Sequence, residues 1–458
     1  MSFSLLRSMH CPFCGGDFNS SEIDETGFGI LTCYCGQYPV VAGIPVIKRG
    51  QIGISGETIE AVNSLIKAGR CREALLAMVM PPAPTSPTLA PAWMQSLPSL
   101  RGIRRVKSFA HQRGARRWRE QAAALLINLD DQVTACDFLD LYYHRSGFKT
   151  NDAYDYFALR FGQPRHLVAL SFTTLIDNPT KPVLDLACGY GHLTRSLARR
   201  AHPQQVVGVD QTFAGLYLAK TLIAPEAEFV CCAADGPLPF PDDFFSAAFC
   251  SDAFHYFIHK LSSLNELRRL TSIDGLIIMV WIHNVHVRRP HDGLPLPPEG
   301  YEALVADMPH RMVADSDVLA RYLKRKGPAL AVSAELGRLS REPLLSIVAS
   351  QRQDVFKDYG EFQEWPHGQG RLDLNPLYRI EKGNGSPPDV QLRRTYPSDF
   401  YLDDHAQSKE YLPETVRVHS KVLSDLAEGN RTPDVERLVD QFVALAMPER
   451  YRTVLQPS

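Results

Sequence analysis

The sequence predicts an α/β fold in which a mostly parallel sheet is covered by helices on both faces. Two observations lead to this prediction. Short apolar runs alternate with helical segments between residues 150 and 352, which is the rhythm of βαβ units. The first of these runs, residues 183–187, passes into a glycine turn and then a helix. The 458 residues are enough for two or three compact units, so further modules are expected around this sheet.

The composition limits the class of protein. Hydrophobic residues make up 45% and charged residues 22% of the chain, as in soluble globular proteins. A net charge of -2 gives the whole chain no electrostatic reason to bind nucleic acid. The sequence has no apolar run long enough to cross a membrane, and its first apolar stretch is too short for a signal peptide. We therefore expect a cytoplasmic protein that does not bind membranes.

Residues 1–50 are predicted to form a small zinc-binding β module. Cys11 and Cys14 form one close pair of cysteines, Cys33 and Cys35 form a second, and glycines follow each pair. Four thiolates in two close pairs supply the tetrahedral S₄ shell that structural zinc prefers. Residues 29–32 and 38–41 are predicted strands. The second pair is one residue shorter than the usual Cys-x-x-Cys, and four free thiols are the alternative.

Residues 51–149 are predicted to be a helical segment. One helix is expected over residues 58–79, a Pro-rich linker over about 80–100, and a second helix over 101–129. The second helix starts with a basic stretch, which favours a solvated face over nucleic-acid binding because few aromatics interleave with it. The basic residues are Arg101, Arg104, Arg105, Lys107, Arg113, Arg116, Arg117 and Arg119.

Residues 150–352 are predicted to form the main domain. The predicted strands are residues 183–187, 205–209, 228–232, 246–250, 276–281, 330–335 and 344–349, and the helices are 193–201, 213–223, 258–270 and 316–326. An insertion at 285–314 is placed to form a substrate lid. Residues 353–458 are predicted to be a mixed, partly helical C-terminal extension. It has helices near 415–427 and 433–446, and an aromatic piece at 396–401 that either lines a substrate pocket or packs on the main domain.

The turn after the first strand of this domain is predicted to bind a nucleotide-like ligand. Gly189 and Gly191 let the backbone approach a ligand, and the helix that follows offers unpaired N–H groups. Asp210 ends the second strand, where an acid can accept hydrogen bonds from ribose hydroxyls. Asp235 follows the third strand, where a carboxylate can accept from an adenine amino group.

These residues resemble those of class I S-adenosylmethionine-dependent methyltransferases of the small-molecule, quinone-biosynthesis type. The matching pieces are residues 185–191, Asp210, 234–236, 239–246, 265–270 and 274–275. The resemblance implies a Rossmann-like seven-stranded sheet with an antiparallel last strand. A nicotinamide-binding domain is the rival, but Thr194 stands where that motif has its third glycine.

The same resemblance implies a role for each residue of the cofactor site. Its members are Asp185 with the Gly189–Gly191 backbone for the amino-acid end of the cofactor, Ala187 at a position often held by Gly, Asp210 and Gln211 for the ribose, Asp235 and Gly236 for the adenine, and Asp252 for cofactor or substrate. S-adenosylmethionine is the expected cofactor, and S-adenosylhomocysteine the expected product.

The turn after the fourth strand is where similar enzymes face the donor methyl group. His255 is a candidate general base there, with Tyr256 beside it. His283 ends the fifth strand, and His286 and His291 follow. These three histidines form a metal site, form a second acid/base pair, or are ordinary core and surface residues. We expect His255, Tyr256 and His283 at the transfer site.

The run at residues 31–47, LTCYCGQYPVVAGIPVI, is similar to the small zinc-binding activator domain that partners tRNA, rRNA and release-factor methyltransferases. We therefore expect structural Zn²⁺ in this module. The favoured hypothesis is methyl transfer to an oxygen or carbon of a small-molecule acceptor of secondary metabolism. The alternatives are an RNA or protein methyltransferase guided by the zinc module, and a protein that binds the cofactor without methylating. A homodimer is left open.

Overall fold

The structure is a computed structural model that describes residues 3–19, 23–53, 56–84, 101–127, 129, 132–147, 151–177, 179–202, 205–287, 293–361, 370–381 and 389–453, without the side chains of 3–4, 101–111 and 151. Most of the predicted linker at 80–100, the side chains of Arg101, Arg104, Arg105 and Lys107, and all of His291 lie outside this description. Among the described residues, no helix is both long and apolar enough to cross a bilayer.

The N-terminal module is a short helix followed by a three-stranded antiparallel sheet. Its elements are α1 (Phe3–Ser8), β1 (Gly29–Cys33), β2 (Gly36–Val41) and β3 (Ile44–Pro45), in the order β1-β2-β3. The two predicted strands of this region coincide with β1 and β2. Leu31, Val40 and Ile44 are fully buried, so the module has an apolar core in addition to its cysteines.

The helical segment continues the chain up to the main sheet. Its helices are α2 (Ile59–Lys67), α3 (Cys71–Val79), α4 (Arg101–Ile127), α5 (Ala135–Tyr143) and α6 (Asn151–Ala158). The single helix predicted over residues 58–79 is wrong, because the chain breaks into α2 and α3 at Gly69, whose φ is +69°. The basic residues described on α4 (Arg113, Arg116, Arg117 and Arg119) are exposed, as expected of a solvated helix face.

The main domain contains a seven-stranded sheet in the order β6-β5-β4-β7-β8-β10-β9. Its strands are β4 (Val183–Leu186), β5 (Val206–Asp210), β6 (Glu228–Cys231), β7 (Phe245–Ser251), β8 (Thr271–His283), β9 (His310–Ala314) and β10 (Leu344–Ala349). Strands β4 to β8 are parallel, and β10 is antiparallel to β8 and β9. The predicted Rossmann-like sheet with an antiparallel last strand is confirmed. Its strand order reverses at β4, which places a ligand crevice at the carboxyl ends of β4 and β7.

Helices cover both faces of this sheet. They are α7 (Pro164–Phe172), α8 (His192–Ala201), α9 (Phe213–Leu218), α10 (Lys260–Leu270), α11 (Pro298–Val305), α12 (Asp315–Tyr322) and α13 (Leu336–Leu339). Helix α7 is buried along its whole length, including Arg165 and His166. A charged side chain at such a position requires partners, and these partners belong to the candidate site.

The sixth strand of the sheet lies elsewhere than predicted. Residues 330–335 form an irregular segment in which Val332 is 77% exposed, whereas β9 is formed by His310–Ala314. Met312, Val313 and Ala314 are buried and pair with β10, so they supply the apolar surface that the sheet needs at this edge. The predicted insertion at 285–314 therefore includes helix α11 and strand β9.

The C-terminal extension folds back onto the main domain. Its elements are β11 (Arg371–Leu374), β12 (Tyr378–Glu381), β13 (Asp389–Arg394), α14 (Asp399–Asp404), β14 (Thr415–His419), α15 (Ser420–Glu428), α16 (Pro433–Asp440) and β15 (Ala444–Met447). Strands replace the beginning of one predicted helix and the end of the other. Beyond β15, the Tyr451 hydroxyl donates to the Phe157 carbonyl at 2.7 Å and lies 3.0 Å from His192 Nε2. The end of the described chain therefore contacts the first turn of α8.

Candidate active site

The predicted cofactor loop joins β4 to α8 in a tight turn. Gly189 and Gly191 both have positive φ, +56° and +77°. A Cβ added at Gly191 would lie 2.8 Å from the Ala219 Cβ atom, so this position requires glycine. Ala187 also has a positive φ, +57°, which is uncommon for a residue with a side chain. The backbone of the loop is therefore exposed to any ligand that lies over it.

Two carboxylates lie next to this loop. Asp185 is buried on β4 and accepts a hydrogen bond from the Thr194 hydroxyl at 2.6 Å. Burial, together with nearby Asp210, raises the pKa of Asp185 to about 7 against the lowering effect of the Thr194 hydrogen bond. Asp210 ends β5 and accepts from the backbone N–H groups of Gly189 at 3.1 Å and Thr212 at 2.8 Å. A bound ammonium or sulfonium group would supply the positive charge that these two acids lack.

A cavity of about 70 Å³ lies between this loop and helices α6 and α7, and we call it the loop cavity. Four of the residues predicted to bind the cofactor, Asp185, Ala187, Gly189 and Asp252, line this cavity, whereas Gly191 does not. The residues predicted to hold the ribose and adenine lie outside it. The Asp210 carboxylate is hydrogen-bonded to the Gly189 N–H group of the loop, and Gln211 is exposed. Asp235 and Gly236 follow β6 and are half-buried.

Asp252 is the most heavily bonded carboxylate of the site. It follows β7 with a φ of +58° and is nearly fully buried. Its Oδ2 atom accepts from Tyr156 Oη at 2.5 Å, Arg165 Nη1 at 2.8 Å and Arg160 Nη1 at 3.2 Å. Burial alone would raise the pKa of Asp252, but Arg165 and Arg160 outweigh it and hold the pKa well below its usual range. Asp252 is therefore an anion that fixes helices α6 and α7 beside the loop cavity.

The three residues predicted for the transfer site lie together. The rings of His255 and His283 are stacked with centroids 3.9 Å apart, and Tyr256 lies 4.2 Å from His255. Both ring nitrogens of His255 are buried without a hydrogen-bond partner among the described residues. Burial, reinforced by His283, lowers the pKa of His255 to about 3. His255 is therefore a neutral imidazole at physiological pH. In this state it can accept a hydrogen bond, but it is a weak base.

Metal binding by these histidines is the other hypothesis from the sequence. Potential ligand atoms of Asp252, His255 and His283 lie within 4.8 Å of one another. However, the carboxylate is already shared by two arginines, whose positive charges oppose a divalent cation. His286 is exposed and lies 3.8 Å from Glu299, away from this cluster. The geometry fits a stacked pair of imidazoles better than a metal site.

A second cavity, of about 370 Å³, adjoins this cluster, and we call it the aromatic pocket. It is lined by Asp152, Ala153, Tyr156, Phe157, Arg165, Tyr256, His283, Phe400, Tyr401, Asp404 and His405. Tyr156 and Phe157 also line the loop cavity, so they form a wall common to both. Phe400 and Tyr401 belong to the aromatic piece predicted to line a pocket or pack on the main domain, and they line this pocket. A larger cleft of about 640 Å³, near Arg195 and Lys357, contains none of the predicted site residues.

Several residues of the site were not found from the sequence. They are Tyr156, Arg160, Arg165, Asp404 and His405. Arg165 had the clearest signal, because an arginine and a histidine stand in the otherwise apolar stretch that forms α7. Asp404 had none, because its contact with Arg165 joins residues 239 positions apart.

The four cysteines of the N-terminal module form a compact cluster. Their sulfur atoms lie within 4.8 Å of one another, and the contacts between Cys11 and Cys35, Cys33 and Cys35, and Cys14 and Cys33 are 3.5, 3.6 and 3.8 Å. A tetrahedral zinc with Zn–S bonds of about 2.3 Å separates its sulfurs by about 3.8 Å. The donor set and its spacing therefore fit zinc.

The module that carries this cluster docks on the main sheet. The Ile47 N–H group donates to the Cys231 carbonyl at 2.8 Å, and Val46 forms a parallel bridge with Cys231 on edge strand β6. Lys48 Nζ donates to the Gln211 carbonyl at 3.1 Å, next to the loop after β5.

Comparisons with known proteins relate the main domain to methyltransferases. Residues 184–279 match the family described as "Methyltransferase domain". The phthiotriol/phenolphthiotriol dimycocerosates methyltransferase of Mycobacterium tuberculosis is 28% identical over 155 residues, which are 34% of this chain and 53% of that protein. The ubiquinone/menaquinone biosynthesis C-methyltransferase UbiE of Burkholderia cenocepacia is 29% identical over 126 residues, or 26% of this chain and 50% of that protein. The chain thus spans about half the length of these two curated relatives.

Among solved structures, the plantazolicin methyltransferase BpumL in complex with a monoazolic desmethylPZN analogue and S-adenosylhomocysteine matches 51% of this chain and 99% of its own, with 15% identity and a TM-score of 0.35. The matched residues 184–279 run from β4 into β8 and include Asp185, Asp210 and His255. The chain therefore carries a methyltransferase domain, and the candidate active site lies at the carboxyl ends of its strands.

Proposed function

We propose that this protein transfers a methyl group from S-adenosylmethionine to an oxygen or carbon atom of a small-molecule acceptor. One observation carries the proposal: the loop cavity and the aromatic pocket share the wall formed by Tyr156 and Phe157. Methyl transfer needs a donor and an acceptor in line, and most of its catalysis can come from holding the two in place. Two adjoining cavities at the carboxyl ends of β4, β7 and β8 provide such an arrangement.

The amino-acid end of the donor would lie in the loop cavity, and its nucleoside would lie outside this cavity, toward the carboxyl ends of β5 and β6. Asp185 would accept hydrogen bonds from its ammonium group, the Gly189 backbone would lie against its amino-acid end, and Asp210 would accept from the ribose hydroxyls. S-adenosylmethionine supplies a sulfonium-activated methyl group, so the protein needs no further activation of the donor. Asp252 keeps Tyr156, which borders both cavities, in position through their 2.5 Å hydrogen bond.

The acceptor would be held in the aromatic pocket. His283 lines this pocket and stacks on His255. A neutral imidazole can accept the hydrogen bond of an acceptor hydroxyl, which orients an oxygen lone pair toward the donor. Burial lowers the pKa of His255 to about 3, so this imidazole is a weak base in the protein without ligands. Complete removal of the proton from an acceptor hydroxyl would require the bound acceptor to raise this pKa.

The proposal is tested with purified full-length protein. Calorimetry should show that S-adenosylhomocysteine binds. Asp210→Ala should raise its Kd at least about tenfold, because the carboxylate that would hold the ribose is lost. Transfer of a labelled methyl group to a library of small hydroxylated and enolic molecules is then measured. His283→Gln should lower kcat and leave the Kd for S-adenosylhomocysteine largely unchanged.

Three outcomes would contradict the proposal. Failure to bind S-adenosylhomocysteine would remove the donor. Labelled RNA or protein, with no labelled small molecule, would favour an enzyme guided by the zinc module. Methylthioadenosine formed in place of S-adenosylhomocysteine would indicate that another part of the cofactor is used.

We also propose that Cys11, Cys14, Cys33 and Cys35 bind one structural zinc ion per chain.

A further inference from the structure

We infer that the aromatic pocket selects the uncharged end of a flat, unsaturated acceptor and rejects charged molecules of the same shape, and that Asp404 sets this selectivity. The inference rests on the proposed function in treating the pocket as the acceptor site. It concerns a residue of the C-terminal extension, which lies outside the matched methyltransferase domain.

The walls of the pocket favour a flat molecule. Aromatic side chains come from three parts of the chain: Tyr156 and Phe157 from α6, Tyr256 from the turn after β7, and Phe400 and Tyr401 from α14. Such rings offer planar apolar faces on which another ring or conjugated system can stack. A volume of about 370 Å³ lies within the range of small-molecule sites.

The floor of the pocket is a closed set of ion pairs. Arg165 is buried, with Nη1 2.8 Å from Asp252 Oδ2 and Nη2 hydrogen-bonded to Asp404 Oδ2. Arg160 lies 3.2 Å from the same oxygen of Asp252. Two guanidinium groups thus face two carboxylates. Burial would lower the pKa of Arg165, but Asp252, Tyr156 and Asp404 outweigh it, so the guanidinium stays charged.

Apart from Asp152, whose exposed carboxylate belongs to none of these ion pairs, the other titratable groups around this floor leave its charge balance unchanged. Burial lowers the pKa of His255 to about 3, and burial and Arg165 do the same for His405, so both rings are neutral. Asp152 lines the pocket from α6 but is exposed. Tyr156 donates its hydroxyl hydrogen to Asp252, and its pKa is raised by burial.

This balance determines which ligands can enter. Among the residues described there, Arg165 is the one cation that lines the pocket, and its terminal nitrogens are committed to two carboxylates. The remaining nitrogen of Arg165, Nε, has no hydrogen-bond partner among the described residues but is buried, so an anionic acceptor would have to break one of these pairs. A cationic acceptor would approach a guanidinium. Removing an ion from water without a partner is costly. An uncharged hydroxyl, enol or carbonyl avoids both penalties.

Asp404 is the part of this balance that the C-terminal extension supplies. Asp404→Asn keeps the size of the side chain and removes one negative charge, which leaves the floor with a net positive charge. We therefore expect the variant to gain affinity for anions. Asp403 is the matched control, because it is the neighbouring aspartate on α14 but is exposed. Asp404→Glu retains the charge and should retain the selectivity.

The test uses three probes with one ring system: 2-naphthol, 2-naphthoate and 2-naphthylmethylammonium. Each is titrated into full-length protein by calorimetry at pH 7, with and without saturating S-adenosylhomocysteine. The wild type should bind 2-naphthol at least about tenfold more tightly than either ion. In Asp404→Asn, the ratio of the naphthoate Kd to the naphthol Kd should fall at least about tenfold, whereas Asp403→Asn and Asp404→Glu should keep the wild-type ratio.

Four results would overturn the inference: tighter binding of either ion by the wild type, no binding of 2-naphthol, an unchanged ratio in folded Asp404→Asn, or a shifted ratio in Asp404→Glu. Circular dichroism establishes that each variant is folded. If Asp404→Asn does not fold, the wild type and Asp404→Glu still decide the question. A chain that discriminates the probes but fails to bind S-adenosylhomocysteine contradicts the proposed function and leaves this inference standing.

Discussion

Asp185 shows how burial shapes the chemistry of a single carboxyl group. It lies on β4 under the cofactor loop, and burial raises its pKa to about 7. The folded-state pKa is above the usual value near 4, so the protonated form is favoured until the pH reaches about 7. An ammonium group that binds beside it would favour the ionised form instead. Ligand binding and proton release are therefore coupled at this residue.

We predict that the affinity for S-adenosylhomocysteine depends on pH through Asp185. Below about pH 7, binding must displace a proton from the carboxyl group, so the Kd should rise up to about tenfold for each unit of pH decrease. Above pH 7, the Kd should level off. Calorimetry between pH 5.5 and 8.5, in buffers of different ionisation enthalpy, measures both the Kd and the proton release.

Asp185→Asn should bind more weakly and lose most of this pH dependence, because the amide does not ionise. Asp274→Asn, a change at an exposed aspartate at the start of β8, should behave as the wild type. A wild-type Kd that stays constant from pH 6 to 8 would show that Asp185 is not the group that receives the ammonium.

Residues of the site differed in how well the sequence revealed them. Asp185, Asp210 and His255 each stand in or directly after a strand, where a parallel sheet places its ligand crevice, so their position along the chain was enough. Arg165 and Asp404 come from separate helices and meet only when the C-terminal extension packs on α7. The local sequence around either residue does not indicate that the two form a pair.

At the scale of elements, the break between α2 and α3 illustrates why a continuous apolar pattern is not one helix. The Gly69 N–H group donates to the Ile66 carbonyl and the Arg70 N–H group to the Leu65 carbonyl, both at 2.9 Å. This is the Schellman pattern, in which a residue of positive φ ends a helix. The prediction of one helix followed the apolar periodicity and overlooked Gly69, whereas the Pro-Pro pair at 81–82 correctly marked the far end.

We predict that Gly69→Ala lowers the free energy of unfolding by about 1 kcal/mol, because the backbone must keep a φ of +69° that a Cβ disfavours. No heavy atom lies within 4 Å of the added carbon, so the cost is one of backbone conformation and not of a clash. Denaturant unfolding monitored by circular dichroism measures it.

Gly337→Ala is the matched control. Gly337 also has open space around it but lies within helix α13 with no positive φ. Alanine is a better helix former than glycine, so this change should be neutral or stabilising by up to about 1 kcal/mol. Equal destabilisation by the two substitutions would contradict the conformational explanation.

On the scale of the whole molecule, the parts outside the matched domain complete its site. The N-terminal module forms a bridge to edge strand β6 and brings Lys48 to the Gln211 carbonyl. The C-terminal extension supplies two aromatic walls of the pocket and one carboxylate of its floor. The central fold was predictable because its strands and motifs are local in sequence. The docking of the flanking parts depends on long-range packing and was not.

The docking of the N-terminal module leads to a prediction about removal of the zinc ion proposed for it. An edge strand with unpaired N–H and C=O groups is stabilised by any chain that pairs with it. The module pairs with β6 through Ile47 and Val46, and the cysteine cluster joins the segment that carries Cys11 and Cys14 to the strands that lead to this contact. Cys14→Ser should reduce bound zinc from about one ion per chain to well below one, because a structural site needs all four ligands.

Loss of the metal should then loosen the module and the strand that it covers. In Cys14→Ser, amide hydrogen exchange should accelerate at residues 29–47 and at 228–231, because Ile47 no longer holds the Cys231 carbonyl in place. Residues 344–349, in β10 near the opposite edge of the sheet, should exchange as in the wild type. Cys71→Ser, a change at a cysteine outside the cluster, should retain zinc and exchange normally. Faster exchange confined to residues 29–47 would show that β6 is stable without the module, and full zinc in Cys14→Ser would show that the cluster is not the metal site.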